Sequence, residues 1–294
     1  TIFVCSIIYL SGSKVKVSRN KVGIPASRSS ENNQMSNKEQ RTNSQITVLI
    51  YASNDEKNIE RSVESAKLLS PTVILVDIGS TDRTAEIAKK VGAQIVTLKQ
   101  EPYVELVRMD GIINAKTDWV LILDSDEVIT QNLADEILQV TGNELQVTSC
   151  RVPRKNIFGQ SKWLKHGGWW PDYQTRLIKR SALQDWPRVI HSTPKIDGAS
   201  LDLKEPLMHY SHGDFRQMVN KTIKFEGVES DLLHKAGKKT STYIFFRKFL
   251  GELYRRLIKH KGFLDGKEGF AESIYQAYSK TITYLLLYEK SRAV

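Results

Sequence analysis

Asp118-Trp-Val-Leu-Ile-Leu-Asp-Ser-Asp-Glu127 sets an unbroken apolar run directly before two carboxylates one residue apart. Such a run, with no polar alternation, reads as a strand covered on both faces, as in a parallel sheet. The same design recurs upstream. Ile46-Thr-Val-Leu-Ile-Tyr-Ala52 and Thr72-Val-Ile-Leu-Val-Asp77 are two further strands, and Gln94 to Leu98 is a third, shorter one. Between them, Asp55 to Leu68 carries Ile59, Val63 and Ala66 on one helical face, and Pro71 breaks it. Ser80-Thr-Asp82 caps a helix that Gly92 ends. Tyr103 to Ala115 reads as a helix, as does Asn132 to Val140, ended by Gly142. Strands alternating with helices predict an α/β fold, Rossmann-like, with a mostly parallel sheet flanked by helices.

Residues 145–215 differ: they are rich in Trp, Gly, Pro and His and predict short strands. After Phe215 the chain turns helical and basic. The expected organisation is a disordered extension over 1–45, the α/β domain over 46–215 and a basic helical region over 216–294. Thr1–Leu10 is apolar but too short to span a bilayer. Residues 11–45 offer nothing to bury, and Met35 is the expected natural start, with an upstream extension before it.

Net charge is +10, distributed as +5 over residues 1–45, −3 over the middle and +8 over residues 216–294. A nucleic-acid binder carries its basic patch on the core module, so nucleic acid is not an expected partner. Cations on the flanks suit an anionic membrane surface. In the helix expected over Tyr243 to His260, Phe246, Phe249, Leu250, Leu253 and Leu257 form an apolar face. Arg247, Lys248, Arg255, Arg256 and Lys259 fall opposite, as in an interfacial helix. A helix packed on the core with its basic face in water is the plainer alternative. The two cysteines, Cys5 and Cys150, make no framework and fit a reducing, cytoplasmic setting, with peripheral contact at the inner face of the cell membrane.

Open α/β sheets bind ligands beyond the carboxyl ends of their strands. Three such ends are polar here: Ser53-Asn-Asp-Glu56, Asp77, and Asp124-Ser-Asp-Glu127. A carboxylate at a strand end accepts from ribose hydroxyls or a base N–H. Two carboxylates one residue apart hold a divalent cation, Mg²⁺ or Mn²⁺, together with a diphosphate. Asp-x-Asp alone is weak, since Asp126 or Thr130 could simply cap the next helix. Its context is stronger: two acids crowded behind a buried strand repel unless a cation compensates them. The loop after the first strand lacks glycine, and no phosphate loop occurs, so metal and arginine must neutralise a pyrophosphate. His209-Tyr-Ser-His212 has zinc-like spacing without further ligands, which favours a structural or phosphate-facing role. Arg176 and Arg180 are phosphate-binding or solvated.

Four segments in order carry a resemblance: Ala52-Ser-Asn-Asp-Glu-Lys-Asn-Ile59, Val76-Asp-Ile-Gly-Ser-Thr-Asp-Arg-Thr84, Arg108-Met-Asp-Gly-Ile112 and Asp118–Glu127. They resemble the family 2 inverting glycosyltransferases of GT-A fold. His166-Gly-Gly-Trp-Trp-Pro-Asp-Tyr173, Arg176-Leu-Ile and Gly262-Phe-Leu-Asp-Gly266 are similar to the lipopolysaccharide-core glucosyltransferase-like subgroup. The resemblance spans residues 46 to 290. It implies transfer of a hexose from a nucleotide-sugar donor, by guess UDP-linked, to a cell-envelope or lipid-linked glycan. By position, it puts Ala52, Asn54, Glu56 and Asp77 in the nucleoside pocket and Arg108 by the diphosphate or base. Asp124, with Ser125 beside it, goes by the ribose, and Asp126 holds the metal. Asp172 becomes the general base, and Gly168, Trp169 and Trp170 contact sugar or acceptor. Ser125, Ile78 and Met109 depart from the family's common residues, and Ser-Thr after His191 weakens any role for that histidine. The implied chemistry is displacement at the anomeric carbon, with a carboxylate taking the acceptor's proton. A nucleotidyltransferase would need a glycine-rich basic loop after the first strand. A non-catalytic binding protein would not need Asp77, Asp124, Asp126 and Asp172 together. The sequence sets no oligomeric state.

Overall fold

The computed structural model describes residues 45–143, 146–159, 161–212 and 214–292. The expected extension, with Met35, Thr1–Leu10 and Cys5, lies outside the described residues apart from Gln45. The first half runs β1 (Ile46–Ala52), α1 (Ile59–Ala66), β2 (Val73–Ile78), α2 (Thr84–Lys90), β3 (Gln94–Leu98), α3 (Arg108–Ile112) and β4 (Trp119–Asp124). Two-residue β5 (Glu127–Val128) and α4 (Gln131–Gly142) follow. β1 to β4 are parallel, in the order β3-β2-β1-β4.

β1, β2 and β4 are buried at every position. Alternation along each strand divides their side chains between two cores. Val48, Ile50, Leu75 and Leu123 meet Ile59 and Val63 of α1 and Leu133 and Ile137 of α4. Leu49, Tyr51, Val76 and Ile122 face the other way, onto Val107, Ile112 and Trp186. Each fully buried aliphatic side chain contributes about 1.5–3 kcal/mol, which is why these segments read as continuous apolar runs.

The second half extends the sheet. β6 (Val147–Phe158), β7 (Lys162–Trp163), β8 (Asp172–Lys179), β9 (Leu183–Asp185), β10 (Lys195–Ile196), β11 (Ala199–Asp202) and β12 (Leu207–His212) follow in order. The path continues β4-β8-β6-β12-β5, with β8 antiparallel to both neighbours and β12 parallel to β6. The sheet is therefore parallel at its leading edge and mixed beyond β4. β6, with 12 residues, is longer than the short strands expected there. β5 leaves the end of β4 and pairs with β12, Glu127 opposite His209. That return curls the far end of the sheet onto the acidic strand end.

The helix expected over Tyr103–Ala115 is broken into a 3₁₀ turn at Val104–Leu106 and the short α3. The break falls at Val107, whose φ of −118° and ψ of 2° leave the helical region, close to Tyr51. The Tyr51 hydroxyl donates to the Arg108 carbonyl at 2.6 Å, and its ring occupies the space a Cβ on Gly111 would need. The tail forms α5 (Phe215–Lys235), α6 (Thr242–Leu253), a π-helical turn (Tyr254–Lys259) and α7 (Gly266–Arg292), which contacts both α5 and α6. Its apolar face differs from the expected one. Phe249, Leu253 and Leu257 are half-buried, whereas Phe246 and Leu250 are exposed. Arg256, expected in water, is buried, donating to Glu252 at 2.9 Å and to the Gly167 carbonyl at 3.0 Å. No helix among the described residues is long and apolar enough to cross a membrane.

Gly111→Ala is expected to destabilise the fold by about 1–3 kcal/mol through overpacking against Tyr51, read as a lower midpoint in urea unfolding. The gain that alanine gives an open helix would show instead that Tyr51 yields.

Candidate active site

The loops after β1 and β2 are stitched together by short polar side chains. Asn54 sits at a left-handed φ of 53°. From there its Oδ1 accepts the backbone N–H of Thr81 at 2.7 Å and of Asp82 at 3.3 Å. Glu56 donates its N–H to Asp82, and its Oε2 accepts from Arg83. Asp77 accepts the Ser80 N–H at 3.1 Å, shaping the turn that follows β2. A cleft of about 610 Å³ opens over these strand ends. Of the expected residues it gathers Ala52, Asn54, Glu56, Asp124, Ser125 and Asp126. Asp77, Arg108, Asp172, Gly168, Trp169 and Trp170 are not on its lining. Tyr103, Glu105 and His191 form one wall, and α5 adds Asn220, Lys221 and Lys224. Lys221 and Lys224 were not legible as site residues, because only the docking of α5 brings them here.

Beneath the floor runs a chain of alternating charges. Asp124 accepts from Arg108 and Arg176, both at 2.7 Å. Arg176 also reaches Glu127 at 2.5 Å, and Glu127 lies 3.4 Å from Arg154. Arg154 donates to Asp172 Oδ2 through both Nε and Nη2, at 2.9 and 2.5 Å. Three guanidiniums thus balance three carboxylates in the order Arg108, Asp124, Arg176, Glu127, Arg154, Asp172. This corrects one expectation. The cations that compensate Asp124 are arginines of the protein. Arg108 is buried under the cleft, its guanidinium 4.5 Å from the Tyr51 ring and 5.5 Å from Trp186. Its Nε and Nη1 have no hydrogen-bond partner among the described residues, and the guanidinium lies against aromatic rings. Burial pushes the Asp124 carboxyl up, but Arg176 and Arg108 outweigh that and hold it far below the usual carboxylate range.

Asp126 lies on the cleft, beside this chain of charges. It is not a helix cap: Thr130 Oγ1 takes that role, accepting from Leu133 N at 3.2 Å. Its Oδ1 lies 3.5 Å from His209 Nε2. His209 Nδ1 lies 2.6 Å from Asn156 Oδ1. Asn156 Nδ2 donates to the Trp169 carbonyl and toward Asp172, which fixes the amide so that its oxygen faces the imidazole. Nδ1 therefore carries the proton and Nε2 is the atom turned to Asp126. Burial and the charge of Arg154 push His209 down to about 3, so the ring is neutral. A neutral imidazole oriented by the Asn156 amide beside a carboxylate is a donor pair that fits a divalent cation. Among the described residues no three His, Cys, Asp or Glu side chains form a full cage. Two protein ligands suit a cation that keeps water and phosphate oxygens. Sequence reasoning paired His209 with His212; the sheet's curl pairs it with Asp126.

Asp172 opens β8, behind Asn156. Burial raises its pKa, but Arg154 and the Gln174 amide, 2.8 Å from Oδ1, bring it below the ordinary value. The preceding turn is fastened to the tail. Gly167 N donates to the His260 carbonyl at 2.8 Å, and His166 meets Asp265 through its backbone N–H and Nδ1. Trp169 is buried beneath the Arg256 guanidinium, and Trp170 meets Trp163 edge to face at 5.2 Å. Trp169 thus packs in the core. Gly168, at φ 82°, is backed by His260 and Arg256. Arg154 and Asn156, missed in the sequence, are wholly buried polar residues at alternate positions of one strand.

Comparison with known proteins gives this site a family. The chain is 26% identical to an uncharacterized glycosyltransferase of Rickettsia bellii over 258 residues, covering 84% of this chain and 87% of that protein. A relative in Rickettsia conorii of the same description is 25% identical, covering 84% and 90%. Among solved structures, Mycobacterium tuberculosis glucosyl-3-phosphoglycerate synthase with Mn²⁺ and UDP-glucose is 18% identical, with a TM-score of 0.45 and coverage of 73% and 86%. Staphylococcus aureus TarS 1–349 is 15% identical, with a TM-score of 0.44 and coverage of 85% and 91%. Residues 47–193, half of the chain, match the family model of glycosyl transferase family 2. The chain, with its curled α/β sheet of GT-A type, belongs to that family and is a glycosyltransferase.

Proposed function

We propose that this glycosyltransferase is inverting and divalent-cation-dependent, and moves a hexose from a UDP-sugar to a cell-envelope or lipid-linked glycan of the lipopolysaccharide-core type. The observation that carries the reading is Asp126. It lines the cleft, and a neutral His209 stands 3.5 Å away. The nucleoside fits the side of the cleft lined by Ala52, Asn54 and Glu56. Its diphosphate lies toward Asp126, with Lys221 and Lys224 supplying the positive charge that a glycine loop supplies in other folds. Asp77 supports the pocket through the turn after β2. Ser125 Oγ donates to Asp55 at 2.6 Å and fixes the acidic loop against the β1 loop.

Asp126 and His209 would hold Mg²⁺ or Mn²⁺, and the bound ion supplies neutralisation of charge on the departing nucleoside diphosphate. Asp172 is the base of the proposal. Arg154 occupies its Oδ2 and keeps it ionised, while among the described residues Oδ1 accepts the Gln174 amide and retains lone pairs for an acceptor hydroxyl. Asn156 and His209 separate it from Asp126, as displacement from the face opposite the leaving group requires. Trp170, half-buried beside this carboxylate, is the turn's candidate sugar platform.

A thermal-shift screen of nucleotide sugars with and without Mn²⁺ tests the donor. A UDP-hexose at about one hundred times its dissociation constant should add about 2.7 kcal/mol, and no stabilisation by any nucleotide sugar would sink the reading. Asn156→Ala should weaken Mn²⁺ binding by about ten- to a hundredfold, followed by titration calorimetry. Asp172→Asn should lower transfer by about 10²–10⁴-fold while the dissociation constant for UDP stays unchanged. Transfer at the wild-type rate removes Asp172 from the mechanism.

A further inference from the structure

α6 has no buried residue along its whole length. Tyr243, Phe246, Leu250 and Tyr254 recur at helical spacing and are 72%, 63%, 56% and 61% exposed. Phe263 and Leu264, in the 3₁₀ turn before α7, continue the exposed apolar surface. Single exposed apolar residues are ordinary, but a run of aromatic and aliphatic side chains on one element marks a docking surface.

The charges around it identify the partner. Every exposed charged side chain between Thr242 and Ile274 is a cation: Arg247, Lys259, Lys261 and Lys267. The acids of the same stretch are drawn inward. Asp265 and Glu272 are buried, Glu268 is half-buried, and Glu252 is engaged by Arg255 and Arg256. A second copy docked face to face would set these cations against their own equivalents, because a two-fold contact presents the same patch on both sides. An anionic lipid surface offers what the patch asks for: an interfacial layer for the rings and negative headgroups for the cations.

We infer that α6 and the turns after it dock the protein on an anionic membrane surface. The segment that carries the patch also holds the turn before Asp172. Arg256 donates to the Gly167 carbonyl, the His260 carbonyl accepts from Gly167, and Asp265 grips His166. Docking would therefore set that turn at the lipid, where a lipid-linked acceptor sits. The docking needs only the exposed face, whereas delivery of such an acceptor rests on the function proposed above.

Flotation of the full chain with vesicles tests this. Vesicles of phosphatidylcholine with one-third phosphatidylglycerol should carry the protein up a gradient, and pure phosphatidylcholine should not. Salt should release it as the Debye length shrinks from about 10 Å at 0.1 M to about 3 Å at 1 M. Arg247→Ala with Lys259→Ala should lower partitioning roughly thirtyfold, each cation near the surface being worth about a fivefold factor. Phe246→Glu with Leu250→Glu should abolish flotation. These side chains are exposed, so melting curves matching wild type show that the fold is intact. Equal flotation of the variants, or a lipid-free dimer in analytical ultracentrifugation that Phe246→Glu dissociates, would overturn the inference. UDP-sugar hydrolysis, measured on the same samples, separates the two ideas. Lost flotation with hydrolysis intact supports the dock. Flotation without hydrolysis in the wild type leaves the dock standing and removes the catalytic reading.

Discussion

The site depends on how the protein tolerates several carboxylates in one place. Asp124 and Glu127 are almost wholly removed from water, and Asp172 is mostly so. An isolated buried carboxylate would protonate or unfold the region. Arg108, Arg176 and Arg154 prevent this by interleaving with the acids, so each inner charge has an opposite neighbour on both sides. Such a ladder is a poor source of net stability, because desolvation consumes most of the Coulomb gain. Its worth lies in what a break would cost: an uncompensated buried charge costs about 3–5 kcal/mol. The side chains are therefore pinned, and Asp126 lies beside them on the cleft.

That ladder can be assembled only because the sheet curls. Arg176 comes from β8 and Arg154 from β6, while Asp124 and Glu127 flank the short link between β4 and β5. β5 pairs with β12 rather than with β4, so the acidic link is stretched across the mouth of the curled sheet. The same pairing brings His209 opposite Glu127 and within reach of Asp126. Topology thus supplies chemistry that no local stretch contains.

This explains which parts of the protein were legible in its sequence. β1, β2 and β4 announce themselves because both faces are covered, and the covering needs apolar residues at every position. The strand-end acids are legible because they break off apolar runs that otherwise continue unbroken. Partners are another matter. Asp124 and Arg176 are joined across a sheet, and no spacing rule links them. The reading that crowded acids need a cation was sound physics, but the sequence could not say that arginines would serve for Asp124. The helix expected over Tyr103–Ala115 is likewise interrupted at Val107, and the Tyr51 contact with the helix that follows comes from a distant strand that no local pattern reveals.

The C-terminal helices show the same division of labour on a larger scale. From sequence they are a basic appendage with its own amphipathic pattern. In the fold they reach the site at two points. α5 lays Lys221 and Lys224 along the cleft, and the segment from Arg256 to Asp265 clamps the His166–Trp170 turn. The clamp is polar and specific: a guanidinium on a carbonyl, a carboxylate on a backbone N–H and an imidazole, and a backbone bond from Gly167 to His260. Bonds of this kind fix orientation more than they add stability, since each is worth only about 0.5–1.5 kcal/mol net. The turn they orient leads straight into Asp172, so the tail sets the direction from which that carboxylate is approached. If Asp172 is the base proposed above and the outer face docks as inferred, this one segment couples where the protein rests to what its site can reach.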